Sequence, residues 1–109
     1  MEVRRGDLIS VALVRDYGKP RPAIIVQADE FEHLASVTVV PLTSDRPRQE
    51  VFRVRLEPSE ENGLRQRSHV MIDKIATLPR AKTGTFIGRV SNEDMALVDR
   101  ALAVFLGFA

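Results

Sequence analysis

The stretch that decides the fold is DYGKPRPAIIVQ, residues 16–27. Its first half is polar and contains a glycine and two prolines, which is the composition of a turn. Its second half, PAIIVQ at residues 22–27, is a continuous apolar run, which is typical of a strand that is covered on both faces. Arg21 lies between Pro20 and Pro22, directly before this run. Because each proline fixes its own φ and Pro22 also restricts Arg21, we expect a guanidinium held at the start of a buried strand.

Short strands separated by turn signals are predicted on either side of this stretch. Pro41 has no N–H to give to a ladder, so it predicts a sheet edge or a bulge. The other strand patterns are DLISVAL (7–13), SVTVVPLTS (36–44), VFRVRL (51–56), SHVMIDKIATL (68–78, expected to bend) and GTFIGRV (84–90).

The end of the chain has a helical pattern instead. In SNEDMALVDRALAVFLG, residues 91–107, Ser91 is the predicted N-cap and Gly107 the predicted C-terminal cap. One helix after several short antiparallel strands predicts a mostly β fold with a C-terminal helix, in the form of a small, partly open barrel. The apolar residues at helical spacing, expected to pack on the sheet, are Met95, Val98, Ala101, Leu102, Phe105 and Leu106.

Length and composition restrict the function classes. The 109 residues suit one domain, residues 1–109. The chain has no apolar run of about 18 residues for a membrane span, no secretory signal pattern and no cysteine, and a cytoplasmic location fits this. A net charge of +1 is too small to indicate nucleic acid by itself. Of the 16 basic residues, 13 are arginine, which suits phosphate binding, but a GC-rich genome explains this bias equally well.

Five segments form an ordered set that runs nearly from end to end. They are RRGDL (4–8), GKPRPAIIVQ (18–27), VTVVPLTSD (37–45), ENGLRQRSHVMIDKI (61–75) and GRVSNEDMALVDRALAVFLG (88–107). This set resembles the MazF/PemK family of ribonuclease toxins from bacterial toxin–antitoxin pairs. The resemblance implies an SH3-like small barrel of the CcdB/MazF/Kid type, a homodimer and a cognate antitoxin laid along the dimer groove. It also implies sequence-selective cleavage of single-stranded RNA by 2′-hydroxyl attack, with no metal and no cofactor.

The resemblance assigns three catalytic candidates. Arg21 is expected to stabilise the charge that develops on the phosphorane, since a guanidinium stays protonated and cannot act as the base. The alternative is a surface arginine that pairs with a nearby acid. Thr43 follows a strand end, where its hydroxyl could bind a phosphate oxygen or simply close a turn with its own backbone. Asp73 matches an acidic position of several relatives and could either accept the 2′-hydroxyl proton or hold Arg21.

Five further residues are expected to bind substrate. Tyr17 is the only tyrosine and lies in a loop with Arg15 and Lys19, and an aromatic ring flanked by bases can stack on a nucleobase while the cations hold its phosphate. A loop tyrosine that packs on the barrel rim is equally ordinary. Ser44 follows Thr43 in the chain. Lys74 follows Asp73, and only a local bend would bring both side chains to one site.

Two other functions stay open. One is a CcdB-like gyrase inhibitor, but such toxins engage gyrase through a Trp-Gly-Ile-like tail, and this chain has no Trp and ends in FLGFA. The other is a catalytically inactive RNA- or protein-binding module, which is favoured by a short loop before Arg21 and by Met71, where some family members carry a catalytic arginine. His69 lies four residues before Asp73 and is expected to be structural.

Overall fold

The computed structural model describes residues 3–45 and 53–109, and for Arg15 and Arg53 the backbone alone. In these residues, four single-turn 3₁₀ helices connect the longer elements, at Val14–Asp16, Asp29–Phe31, Ile72–Lys74 and Arg80–Lys82. The strands and the helix of the described residues are β1 Asp7–Ala12, β2 Pro20–Ile25, β3 Ser36–Thr43, β4 Arg53–Leu56, β5 Ser68–Met71, β6 Ala76–Pro79, β7 Thr83–Arg89 and α1 Asn92–Leu106.

The strands form one antiparallel sheet in the order β4-β5-β3-β2-β1-β7. The strand β3 organises it, because its first half pairs with β6 and its last two residues pair with β5. The predicted fold class, mostly β with a C-terminal helix, is confirmed. The segment 68–78 bends as expected and divides into β5, a 3₁₀ turn and β6.

The sheet is covered on both faces, as the apolar run of β2 predicts. Ile24 belongs to a core cluster that includes Leu8, Val40 and the buried face of α1. Its neighbours Ala23 and Ile25 belong to a second cluster on the other side. Because successive side chains of a strand point to opposite faces, a strand between two cores has to be apolar at every position.

Pro41 does not mark an edge, and this prediction was wrong. It lies inside β3 and is paired with Ala23 of β2. On the other side of β3, pairing with β6 ends at Val39, and pairing with β5 begins at Leu42. The missing N–H therefore falls in a gap between two partner strands, where no ladder bond needs it.

The helix α1 begins and ends as its sequence predicts. The Ser91 side chain accepts a hydrogen bond of 3.1 Å from the backbone N–H of Asp94, and Gly107 follows the last turn with φ 87°. Phe105 and Leu106 were predicted to be buried, and this was wrong, because they are 44% and 48% exposed. Their helical positions fall on the buried face, so their exposure shows that the surface beneath α1 ends before its last turn. The buried residues of α1 are Met95, Val98, Ala101 and Leu102.

No helix in the described part of the chain is long and apolar enough to span a membrane.

Candidate active site

A split between β2 and β3 opens a cleft in the molecule. The two strands are paired only where Ala23–Ile25 face Val39–Pro41. Beyond this point the strands separate, with Arg21 on one side of the split and Thr43 on the other. The opening forms a cleft of about 680 Å³, and the segment 63–66 forms another part of its wall. We call this opening the cleft throughout.

Arg21 is held in one orientation by two neighbours. Its Nε and Nη2 donate to the two carboxylate oxygens of Asp16, at 2.8 and 3.0 Å, and its Nη1 donates to the backbone oxygen of Leu42, at 3.1 Å. The Arg21 and Asp16 side chains are 25% and 10% exposed. These bonds use three of the five N–H groups of the guanidinium. Among the described residues, one N–H on each terminal nitrogen keeps no partner, and two such groups match the oxygens of a phosphate.

The loop before β2 brings Asp16 back to Arg21. A 3₁₀ turn ends at Asp16, and the next two residues, Tyr17 and Gly18, have φ values of 55° and 78°. The backbone N–H of Lys19 then donates to the backbone oxygen of Asp16 at 3.0 Å, which closes a tight turn. Asp16 was not among the predicted site residues. The signal that could have found it is an acid five residues before an arginine, with a glycine-containing reversal between them.

Thr43 closes a turn and also lines the cleft. Its Oγ1 accepts a hydrogen bond of 3.1 Å from the backbone N–H of Asp45. A hydroxyl has one proton to donate and two acceptor sites. The turn uses one acceptor site, so the same hydroxyl can still donate its proton to a phosphate oxygen. The two roles that the sequence left open are therefore compatible, and Ser44 lines the cleft beside Thr43.

The ladder between β3 and β5 places His69 directly opposite Thr43. Side chains paired in this way have Cβ atoms about 4.5–5.5 Å apart and share one face of the sheet. The sequence spacing related His69 only to Asp73 and did not reveal this neighbour. His69 does not itself line the cleft.

The basic loop residues have different positions. Lys19 lines the cleft, whereas Tyr17 is 100% exposed and packs on no part of the barrel rim. The side chain of Arg15 lies outside the described residues.

Asp73 and Lys74 are not in the cleft of their own chain. Both lie in the 3₁₀ turn between β5 and β6, and they line a second groove of about 620 Å³ together with Leu13, Val14 and Lys82. We call this the second groove. Lys74 Nζ lies 3.8 Å from Asp73 Oδ2, so the predicted bend does bring these two side chains together. It is Asp16, and not Asp73, that holds Arg21.

The cleft concentrates positive charge. Among the residues that the structure describes, its charged lining residues are three bases, Lys19, Arg21 and Arg65, and one acid, Asp45. This excess suits an anionic ligand, although the whole chain carries only +1. Within residues 3–45 and 53–109, no three His, Asp or Glu side chains converge as metal ligands would.

The chain is similar to known proteins of one family. The sequence model of the PemK-like, MazF-like toxins of type II toxin–antitoxin systems matches residues 4–106. The chain belongs to this family. The prediction of a MazF/PemK-type toxin, which depended on five ordered segments, is confirmed.

Individual relatives agree with this assignment. A probable endoribonuclease MazF of Mycolicibacterium smegmatis is 46% identical over 108 residues, which cover 98% of this chain and 99% of that protein. A mycobacterial endoribonuclease solved in complex with its cognate antitoxin superposes with a TM-score of 0.82 at 29% identity, over 98% of this chain and 97% of that one. The Mycobacterium tuberculosis toxin MazF-mt6 gives 0.78 at 25% identity, over 93% and 96%. The predicted MazF-type fold and enzyme class, an endoribonuclease toxin, are confirmed.

Proposed function

We propose that this MazF-like toxin binds single-stranded RNA in the cleft and cleaves it at selected sequences by attack of a 2′-hydroxyl, without a metal or cofactor. The observation that carries the proposal is the position of Arg21. Its guanidinium is fixed by Asp16 and by the Leu42 carbonyl. Two of its N–H groups have no partner among the described residues, in the cleft that Thr43 also lines. A preorganised cation beside a hydroxyl donor is what a pentacoordinate phosphorane requires.

The proposed reaction exchanges one phosphorus–oxygen bond for another. The 2′-oxygen loses its proton and bonds to the adjacent phosphorus, and the bond from phosphorus to the 5′-oxygen breaks. The products are a 2′,3′-cyclic phosphate and a 5′-hydroxyl, which takes up a proton. Arg21 binds the two non-bridging oxygens as their charge grows, and Thr43 donates its proton to one of them.

We propose that the remaining site residues bind the strand or complete the site across a dimer. Lys19 and Ser44 line the cleft and contact the scissile nucleotide, while Tyr17 stacks on a base and Arg15 holds a phosphate. Asp73 and Lys74 line the second groove of the same chain. Their part in proton transfer therefore requires that the partner subunit of a homodimer present its second groove to the cleft.

We also propose that residues 1–109 act as one toxin domain and that this toxin works in the cytoplasm. Its proposed inhibitory partner is an antitoxin. A similar endoribonuclease was solved in complex with its cognate antitoxin. An antitoxin segment that covers Arg21 would exclude RNA from the cleft. Acidic side chains on that segment would complement the three bases that line it.

The test compares Arg21→Ala with Arg100→Ala, which removes the same charge from an exposed position of α1. Purified proteins are incubated with a long single-stranded RNA in EDTA, and the cut ends are mapped by primer extension and tested for 2′,3′-cyclic phosphates. We expect cleavage by the wild type and by Arg100→Ala, and no cleavage by Arg21→Ala. The melting temperature of Arg21→Ala should fall, because Asp16 loses its partner, and a cooperative melt above the assay temperature shows that the fold is kept. Cleavage by Arg21→Ala, or intact RNA with inhibition of gyrase supercoiling by the wild type, would refute the proposal.

A further inference from the structure

The part of the cleft wall that the segment 63–66 forms is held by one buried amide. Asn62 is 4% exposed. Its Oδ1 accepts hydrogen bonds from the backbone N–H groups of Ser59, at 3.0 Å, and of Leu64, at 2.9 Å. Its Nδ2 donates to the backbone oxygen of Glu57 at 2.9 Å. Every one of these bonds ends on the backbone of the loop, so Asn62 fixes the path of the chain that leads into the segment 63–66.

Two glycines allow this loop to lie directly against β7, because they have no side chain. A Cβ on Gly63, whose φ is 68°, would lie 2.3 Å from the backbone oxygen of Ile87. A Cβ on Gly88 would lie 2.3 Å from the backbone oxygen of Asn62. Neither position has room for a side chain, so the loop and β7 are in direct backbone contact. The start of the segment 63–66 is therefore held directly against β7.

Arg65 lies on this wall and has no partner in the part of the chain that the structure describes. Its exposed side chain lines the cleft, and within the described residues its guanidinium makes no hydrogen bond or ion pair. Arg67, two residues later, is also exposed but differs in both respects. Its Nε lies 3.0 Å from Glu57 Oε2, and it does not line the cleft.

We propose that Arg65 binds a backbone phosphate of the RNA next to the phosphate that Arg21 holds, and so sets the position of the strand in the cleft. This inference rests on the proposed function. Arg21 and Arg65 line the cleft from different segments of the chain, and hydrogen bonds within the protein hold each segment before substrate arrives. A free guanidinium on a rigid wall loses little conformational entropy when it binds an anion. Arg65 is a binding residue and takes no part in bond breaking.

The test measures binding apart from cleavage. A fluorescent single-stranded RNA of mixed sequence, with 2′-O-methyl groups throughout, is titrated with wild-type protein, Arg65→Ala, Arg65→Lys and the matched control Arg67→Ala at several salt concentrations. We expect Arg65→Ala to raise Kd about tenfold. The slope of log Kd against log salt should fall by about 0.7, the value for one phosphate of a single strand. Arg65→Lys should keep the wild-type slope, and Arg67→Ala should match the wild type in both quantities.

The inference is overturned if Arg65→Ala and Arg67→Ala give the same Kd and the same slope. Steady-state cleavage of unmodified RNA supplies a second readout, in which Arg65→Ala should raise KM and leave kcat unchanged. A fall in kcat with an unchanged KM also contradicts a binding role. The 2′-O-methyl RNA separates this test from that of the proposed function: if the wild type cuts it, the 2′-hydroxyl mechanism fails, whereas the comparison of Kd values still decides the role of Arg65.

Discussion

Asp16 binds Arg21 through both carboxylate oxygens, and the two residues are joined by a loop only five positions long. The pair is mostly buried, so the guanidinium is oriented by the protein and not by solvent. The loop reaches this geometry through the positive φ values of Tyr17 and Gly18. The residue that orients the proposed catalytic cation, Asp16, therefore lies only five positions before it in the chain.

Asp16→Asn should lower cleavage without removing the fold. An asparagine oxygen can accept from only one of Nε and Nη2, so Arg21 is held less firmly, and a misplaced group of this kind costs up to roughly 100-fold in rate. We expect kcat to fall by ~10- to 100-fold, measured on a fluorogenic RNA. The control is Asp99→Asn, which removes a carboxylate that pairs with Arg5 at the surface. Equal activity of Asp16→Asn and the wild type would contradict the orienting role.

Thr43→Val and Thr43→Ser should differ strongly. Valine keeps the shape of the side chain but removes both the proton for the phosphate and the acceptor for the Asp45 N–H. Serine keeps both. We expect Thr43→Val to lower kcat by about 100-fold, as the loss of one donor to a developing oxyanion does, and Thr43→Ser to stay within about fivefold of the wild type. Similar losses for both variants would indicate that the threonine methyl group, and not the hydroxyl, is what the site requires.

The sequence predicted the fold well because the relevant signals are local. The apolar run of β2, the cap at Ser91 and the glycine after α1 each act within a few residues. The errors concern partners that are distant in sequence. Whether Pro41 is tolerated depends on where two other strands stop pairing with β3, and whether Phe105 is covered depends on how far the sheet extends beneath α1.

The sequence predicted several residues of the candidate site, but it did not predict which of them lie together in one cleft. Arg21, Thr43, Ser44 and Lys19 do line one cleft. The division of these residues from Asp73 depends on the split between β2 and β3 and on the turn after β5, which sequence spacing does not report. The sequence did not indicate Arg65, because a single arginine in a polar loop is common. Its possible role depends on the position of the loop in the fold.

Asn62→Ala should destabilise the protein and weaken RNA binding together. The substitution leaves two backbone N–H groups and one carbonyl without the partner that Asn62 supplies, and such losses cost about 1–3 kcal/mol. We expect the free energy of unfolding in urea to fall by about 2 kcal/mol and KM for RNA to rise. The control Asn92→Ala, at an exposed position of α1, should change stability by less than about 0.5 kcal/mol. An unchanged KM would show that the wall need not be rigid.

The separation of Arg21 and Asp73 within one chain yields a sharper test of the proposed dimer. If the cleft of one subunit works with the second groove of its partner, Arg21→Ala and Asp73→Asn homodimers should each be inactive, because each lacks one component at both sites. In a symmetric dimer, mixed pairs carry one site with both defects and one site with neither. Equal amounts of the two variants, unfolded and refolded together, should therefore recover about one quarter of the wild-type cleavage rate.

Recovery requires exchange of subunits, so mixing without refolding serves as the control. Full activity of Asp73→Asn alone would remove that residue from the reaction. Two inactive variants that do not complement each other would show that Asp73 acts within its own chain, and the dimer would then be unnecessary for catalysis.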